Sequence, residues 1–165
     1  MGSSAKKKII QLTCIIRKIL NIKKKIYITI PAYYPVWHSL STDYTDFAKK
    51  IIKGRKIHII KTDIAYWLKM NDKFTSDEYK LLITYGLYDL YTGSRRYFCI
   101  KSCKILYVQR ASILLGYDYI LVNGKKIPSG IIARNEGMST PDFIEWIKGL
   151  DVKEFCIVNF TNFSY

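Results

Sequence analysis

Acid is short in this chain relative to base. Thirteen Asp and Glu stand against 27 Lys and Arg, a net charge of +14 over 165 residues. That balance points to polyanionic partners. Histidine is scarcer still, at two residues, and the four cysteines (Cys14, Cys99, Cys103, Cys156) include no C-x-x-C pair. Without Cys/His ligand spacing no zinc site is expected, and no cofactor is expected either. Cys99 and Cys103 lie four apart in a strand-like run, too distant for an unstrained disulfide. Reduced thiols in a cytoplasmic setting follow as the expectation. No stretch reaches 18 apolar residues, so no membrane span is expected.

What the chain does have is a core. Apolar residues make up 49% and aromatics 15%, which excludes disorder and leaves one domain as the natural reading. The charge is unevenly spread. Residues 1–25 hold eight cations and no acid, leaving +6 for the other 140 residues. This basic N-terminal arm carries Ile9, Leu12, Ile15, Ile16, Ile19 and Leu20 near helical spacing. Packing on its own domain, lying on a membrane surface and ordering on a polyanion are all compatible with that pattern. A Lys-rich, AT-biased genome accounts for part of the same excess.

Residues 26–165 read as the domain proper. Lys25–Ile30 is a strand candidate, broken by Pro31 and Pro35. A helix is expected after Ser41 or Thr42, with Tyr44, Phe47, Ala48, Ile51 and Ile52 as its stripe and Gly54 as its left-handed stop. Residues 56–61 follow as a strand and 63–69 as a short helix. Period two then takes over: 81–88 and 97–108 read as long strands around a Thr92-Gly93-Ser94 turn, and Asn123-Gly124 marks a hairpin. Ser139 or Thr140 caps a last helix whose apolar face is Phe143, Trp146, Ile147 and Leu150. Phe155–Phe160 closes as a buried strand. Many strands with few helices predict an α+β fold, a small mixed or antiparallel β-barrel with two or three flanking helices.

Two short segments about 80 residues apart carry ionisable groups that a core would not want. One is Gly54-Arg55-Lys56-Ile57-His58-Ile59-Ile60-Lys61; the other is Asn135-Glu136-Gly137-Met138. If the fold joins them, Lys56 and Glu136 form a small charged site, with their charged atoms expected within about 6 Å, a range over which opposite charges favour both ionised forms. The bland alternatives are a solvated strand lysine and a carboxylate placed near a helix N-terminus. Strand alternation puts His58 on the face of Lys56 and Lys61 on the other. His58 also reads as a core-edge histidine. Arg95 and Arg96 sit in an expected turn, where they are either solvated or in contact with phosphate.

The order of these features resembles a known family. Helix, Gly54-x-Lys56, strand, hairpins, an acidic position at Glu136, a short helix and the closing Phe155-Cys156-Ile157-Val158-Asn159-Phe160 are similar to the ASCH domain, a PUA-like β-barrel associated with RNA. Lys61 stands at the family's Arg position. The resemblance covers residues 26–165. It is closest to ASCH-like proteins of phages of gut bacteria, through Pro31-Ala32-Tyr33, Ile57-His58-Ile59-Ile60 and Thr161-Asn162-Phe163-Ser164-Tyr165. It implies an RNA or modified-nucleoside site using Lys56, His58, Lys61, Arg95, Arg96 and Glu136, in the host cytoplasm or a virion. One branch resembles an N4-acetylcytidine amidohydrolase whose site is a Lys, a Thr three residues on, and a Glu. Lys56 and Glu136 match as catalytic residues, but Ile59 stands at the Thr position, so binding is expected rather than catalysis. A phage structural or inhibitory role, with the barrel used for protein contacts, is the further alternative.

Overall fold

The computed structural model describes residues 23–41, 43–74, 79–88, 95–105, 107–114 and 116–165. Its elements are β1 (Lys24–Ile30), α1 (Phe47–Ile52), β2 (His58–Lys61), α2 (Ile64–Phe74), β3 (Tyr79–Tyr88) and β4 (Arg95–Cys103). There follow β5 (Tyr107–Ile113), β6 (Tyr119–Val122), β7 (Lys125–Pro128), α3 (Ser129–Glu136), α4 (Thr140–Gly149) and β8 (Glu154–Asn159). The fold is α+β, and its strands form two sheets. One has the order β1-β3-β4, the other β2-β8-β5-β6-β7. Among the described residues no ladder joins the two into a closed barrel.

Local chemistry accounts for several boundaries. Asn123 and Gly124 both have positive φ, 49° and 82°, and let β6 turn into β7 with Val122 opposite Lys125. That is the two-residue turn the Asn-Gly pair predicts. Ser139 accepts a hydrogen bond from the Asp142 amide at 3.2 Å, capping α4, and Phe143 and Ile147 bury its apolar face. Asp63 does the same for α2, accepting from the Tyr66 amide at 3.2 Å. β8 is the pivot of the larger sheet. It lies between β2 and β5, and Phe155 through Asn159 are all buried.

Other expectations are corrected. Four helices, rather than two or three, occur among the described residues, because Ser129–Glu136 forms α3 ahead of Gly137. The first helix starts at Phe47, not near residue 42. Asp46 ahead of it is left-handed, at φ 55°. Tyr44 is exposed instead of core-facing and adds nothing to the stripe; its hydroxyl accepts from Tyr33 at 2.8 Å. The run 97–108 is not one strand. Its residues leave one sheet at Cys103 and enter the other at Tyr107, a corner made without Gly, Pro or Asn. β1 and β3 pair in parallel, because α1, β2 and α2 carry the chain back between them. The boundary drawn at residue 25 falls inside β1, while residues 1–22 and the Thr92–Ser94 turn lie outside the described residues.

Candidate functional site

Two backbone stops build the site. α1 ends at Gly54, whose φ of 69° reverses the chain. The Arg55 and Lys56 amides both donate to the Lys50 carbonyl, at 2.8 and 3.2 Å. α3 ends at Gly137, with φ 82°. The amides of Gly137 and Met138 donate back to Arg134 and Ala133. The two stops are stitched by Ile57, whose amide donates to the Asn135 carbonyl at 3.0 Å. A Cβ on Gly137 would lie 3.3 Å from Lys56 Cβ, so only glycine lets the segments approach this closely without displacement.

Lys56 and Glu136 therefore meet. Lys56 Nζ donates to Glu136 Oε1 in a short ion pair and to the Glu136 carbonyl at 2.9 Å. It also lies 4.2 Å from the centroid of the Phe47 ring, over its π-face. Lys56 is 1% exposed and Glu136 5%. His58, fully buried, brings Nε2 to 3.1 Å from Glu136 Oε2. That approach is too bent for a hydrogen bond, so both atoms lack an aligned partner. On its far side, His58 Nδ1 lies 3.1 Å from the Tyr165 hydroxyl, which accepts from Asn135 Nδ2 at 2.9 Å. With the Asn135 amide donating, the Tyr165 proton is left for His58 Nδ1. The neutral imidazole then carries its proton on Nε2, toward the carboxylate. Around Tyr165, Gln109 Oε1 accepts from the Tyr165 amide at 3.3 Å and from Asn159 Nδ2 at 3.1 Å.

Burial and charge act against each other here. Burial raises the Glu136 carboxyl, but Lys56 and His58 together outweigh it and hold the group below its ordinary range. Burial pulls Lys56 down, and Glu136 restores only part of that. Burial likewise pushes His58 below its usual value, against Glu136, which agrees with a neutral ring.

The pair forms part of the wall of a cavity of about 210 Å³. Thr29, Ile59, Lys61 and Thr62 also line it. Lys61 is thus brought to Lys56, contrary to its expected place on the opposite face. Lys56 precedes β2, so the strand's alternation does not reach it. Ile59, two residues before Lys61 on the same strand, is buried and lines the same cavity. Arg96 is exposed on β4 in the other sheet and is not among the residues lining this cavity. Arg95 opens β4, and its side chain lies outside what the structure describes.

Sequence reasoning missed Gln109, and quoted Asn135, Asn159 and Tyr165 without a role. Asn159 had a signal, a polar residue in the otherwise apolar run Phe155–Phe160. Its Oδ1 and the Tyr107 hydroxyl are buried without hydrogen-bond partners. Among the described residues no three His, Cys, Asp or Glu side chains gather to hold a metal. No described helix is long and apolar enough to cross a membrane. No family model matches the chain, and neither does any curated protein or solved structure.

Proposed function

We propose that this chain binds RNA or a modified nucleoside in the cavity walled by Lys56 and Glu136, on a fold of the PUA-like ASCH type. The observation that carries the reading is the buried pair itself. An ion pair in a core is commonly no better for stability than well-packed apolar residues. A charged pair kept at a cavity wall is better accounted for by a ligand it recognises. The cavity suits a small planar group, being below the range of about 300–1,000 Å³ that holds drug-sized ligands. Its polar lining offers a carboxylate, two ammonium groups and two hydroxyls, donors and acceptors of the kind that read the edge of a base. The ordered features Gly54-x-Lys56, Glu136 and Phe155–Phe160 support the ASCH assignment. The basic residues 1–25 add polyanion affinity in this reading.

Hydrolysis of an N4-acetylcytidine-like amide is the second reading, and one observation bears on it. Ile59 occupies the cavity wall beside Lys56, so a threonine there would face the same space. As the chain stands, position 59 supplies no hydroxyl beside Lys56, and the hydroxyls of the lining are those of Thr29 and Thr62.

Binding is tested by two-dimensional NMR with cytidine, N4-acetylcytidine and uridine. The expected result is saturable shifts of the Thr29, Ile59 and Thr62 amides. Ile59→Phe, which fills the cavity, abolishes them in a protein that still gives a folded spectrum. Absence of shifts with all three nucleosides, or identical shifts in Ile59→Phe, refutes the site.

A further inference from the structure

The two segments that carry Lys56 and Glu136 have a second side. Lys56 and Glu136 face the cavity, while their neighbours Arg55, Ile57, Asn135 and Gly137 line a separate groove of about 500 Å³. The remaining charged lining is Lys50 and Arg134. All three ionisable groups in the groove are cations, and no acid lines it. From this arrangement we infer that the groove is a phosphate-binding channel for the backbone of single-stranded RNA, set one layer of polypeptide behind the nucleoside cavity. The inference deepens the RNA-binding reading above and rests on it for the choice of polyanion.

The chemistry of the groove is that of an anion site held by side chains. The backbone amides along it are already used. Those of Gly54, Arg55, Lys56 and Ile57 donate to Ile51, Lys50, Lys50 and Asn135, and that of Gly137 to Arg134. Any anion there must be met by Arg55, Arg134 and Lys50. Arg55 and Arg134 are exposed, and their planar guanidinium forks match phosphate oxygens two at a time. Lys50 is half-buried and fixed, donating to the Thr45 carbonyl at 3.0 Å. It contributes field rather than a mobile contact. The nearest carboxylate in sequence, Glu136, points away and is held by Lys56 and His58. No acid lines the groove itself, and the carboxylates that act on it, Asp46 and Asp142, do so through Lys50 and offset part of that cation's field. A helix-end preference for cations accounts for Arg134, in the last turn of α3. It does not account for Arg55, which lies beyond the end of α1. Apolar flanks from Ile57 and Met138 give the groove a low-polarity wall, against which its field is less screened than on open surface.

The test is fluorescence anisotropy of a labelled ten-nucleotide oligouridylate bound to the full chain over a series of salt concentrations. Log affinity against log salt falls by about 0.7 per phosphate neutralised on single-stranded nucleic acid. Arg55→Ala/Arg134→Ala should weaken binding and shallow that slope by about 0.7 for each phosphate no longer neutralised. A charge-matched control, Lys125→Ala/Lys153→Ala, removes two exposed lysines that do not line the groove and should leave the slope near its native value. Equal slopes for native and double-arginine chains overturn the inference, as does an equal loss in the lysine control. Tripolyphosphate is run as a competitor. If it binds the groove and oligouridylate does not, the site takes small phosphates and the assignment to RNA is overturned. Uncharged nucleosides report the cavity alone. Their binding should survive Arg55→Ala/Arg134→Ala, so failure of the groove and failure of the cavity are separable.

Discussion

Replacing Glu136 by Gln should cost this fold a large part of its stability. The substitution keeps the shape of the side chain and removes its charge. Lys56, 1% exposed, is left as an uncompensated cation. For unit charges 4 Å apart, Coulomb's law at an effective dielectric of about 20 gives about 4 kcal/mol, and this pair is in closer contact than that. Mutational experience with broken buried pairs gives about 3–5 kcal/mol. The two figures agree, and both are large against a total stability of about 5–15 kcal/mol. In urea, with an m-value of about 2 kcal/mol/M, the midpoint should fall by about 1.5–2.5 M. Trp67, buried, and Trp146 on the cavity wall report the transition by fluorescence.

A double replacement distinguishes a lost attraction from a stranded charge. Lys56→Met/Glu136→Leu removes both charges and should recover most of the loss, since apolar substitutes for a buried pair are commonly neutral or better. Recovery should be incomplete. His58 Nε2, already poorly aligned on Glu136, then loses that 3.1 Å electrostatic contact as well, a cost below the full penalty of about 1–3 kcal/mol for an unmet buried donor. The reasoning is refuted if Glu136→Gln moves the midpoint by less than about 0.5 M, or if the double variant loses the sum of its singles. Either outcome would mean that water reaches the pair and screens it.

Two other outcomes follow from the same site. His58 has a folded pKa below its unfolded value of about 6.5. The unfolded chain therefore binds more protons in that window, and stability should fall as pH drops below about 6.5. Glu136, also depressed, adds a second loss as pH falls below about 4.3 toward its folded value; urea midpoints at stepped pH should show both losses, and His58→Gln should flatten the upper one and, because His58 helps hold Glu136 down, shrink the lower one. Ile59→Thr places a hydroxyl in the cavity with Lys56, whose burial-lowered pKa suits it to act as a base. Acetate release from N4-acetylcytidine should be weak or absent in the native chain and rise in Ile59→Thr, and rapid native turnover that is lost in Lys56→Ala would show that a nucleophile other than residue 59 serves a true enzyme.

Much of the fold was legible where one residue type permits only one local answer. Asn123-Gly124, Gly54 and the Ser139-Thr140-Pro141 start of α4 each act through φ or a single cap bond, and each sits where the pattern put it. What failed needed tertiary information. The stripe from Tyr44 to Ile52 has good helical spacing. Even so, the pairing of Tyr44 with Tyr33 across an isolated bridge outweighs it and delays α1 to Phe47. The corner between Cys103 and Tyr107 carries no breaker, so a run of strand-forming residues conceals a change of sheet. α3 was hidden because Ser129–Glu136 is short and opens directly after Pro128, with no side-chain cap bond to announce it.

The site divides along the same line. Lys56 and Glu136 stood out because each is a charge beside a glycine stop, and such stops place a helix end against a neighbour. Which atoms surround them was not legible. Alternation assigned Lys61 to the wrong side because it was counted from Lys56, outside the ladder that begins at His58. Counted from His58, the rule separates His58, which reaches Glu136, from Ile59 and Lys61, although Ile60 borders the cavity as well. Tyr165 lies 107 residues from His58, and no local pattern can join them. The carboxylate is met from two directions, by the Lys56 ammonium that donates to Oε1 and by an imidazole, fixed through Tyr165 and Asn135, that approaches Oε2 to 3.1 Å. That double hold is a reason for Glu136 to stay ionised in a core, and it requires the closing strand and the residues after it as much as the motif that first drew attention to the site.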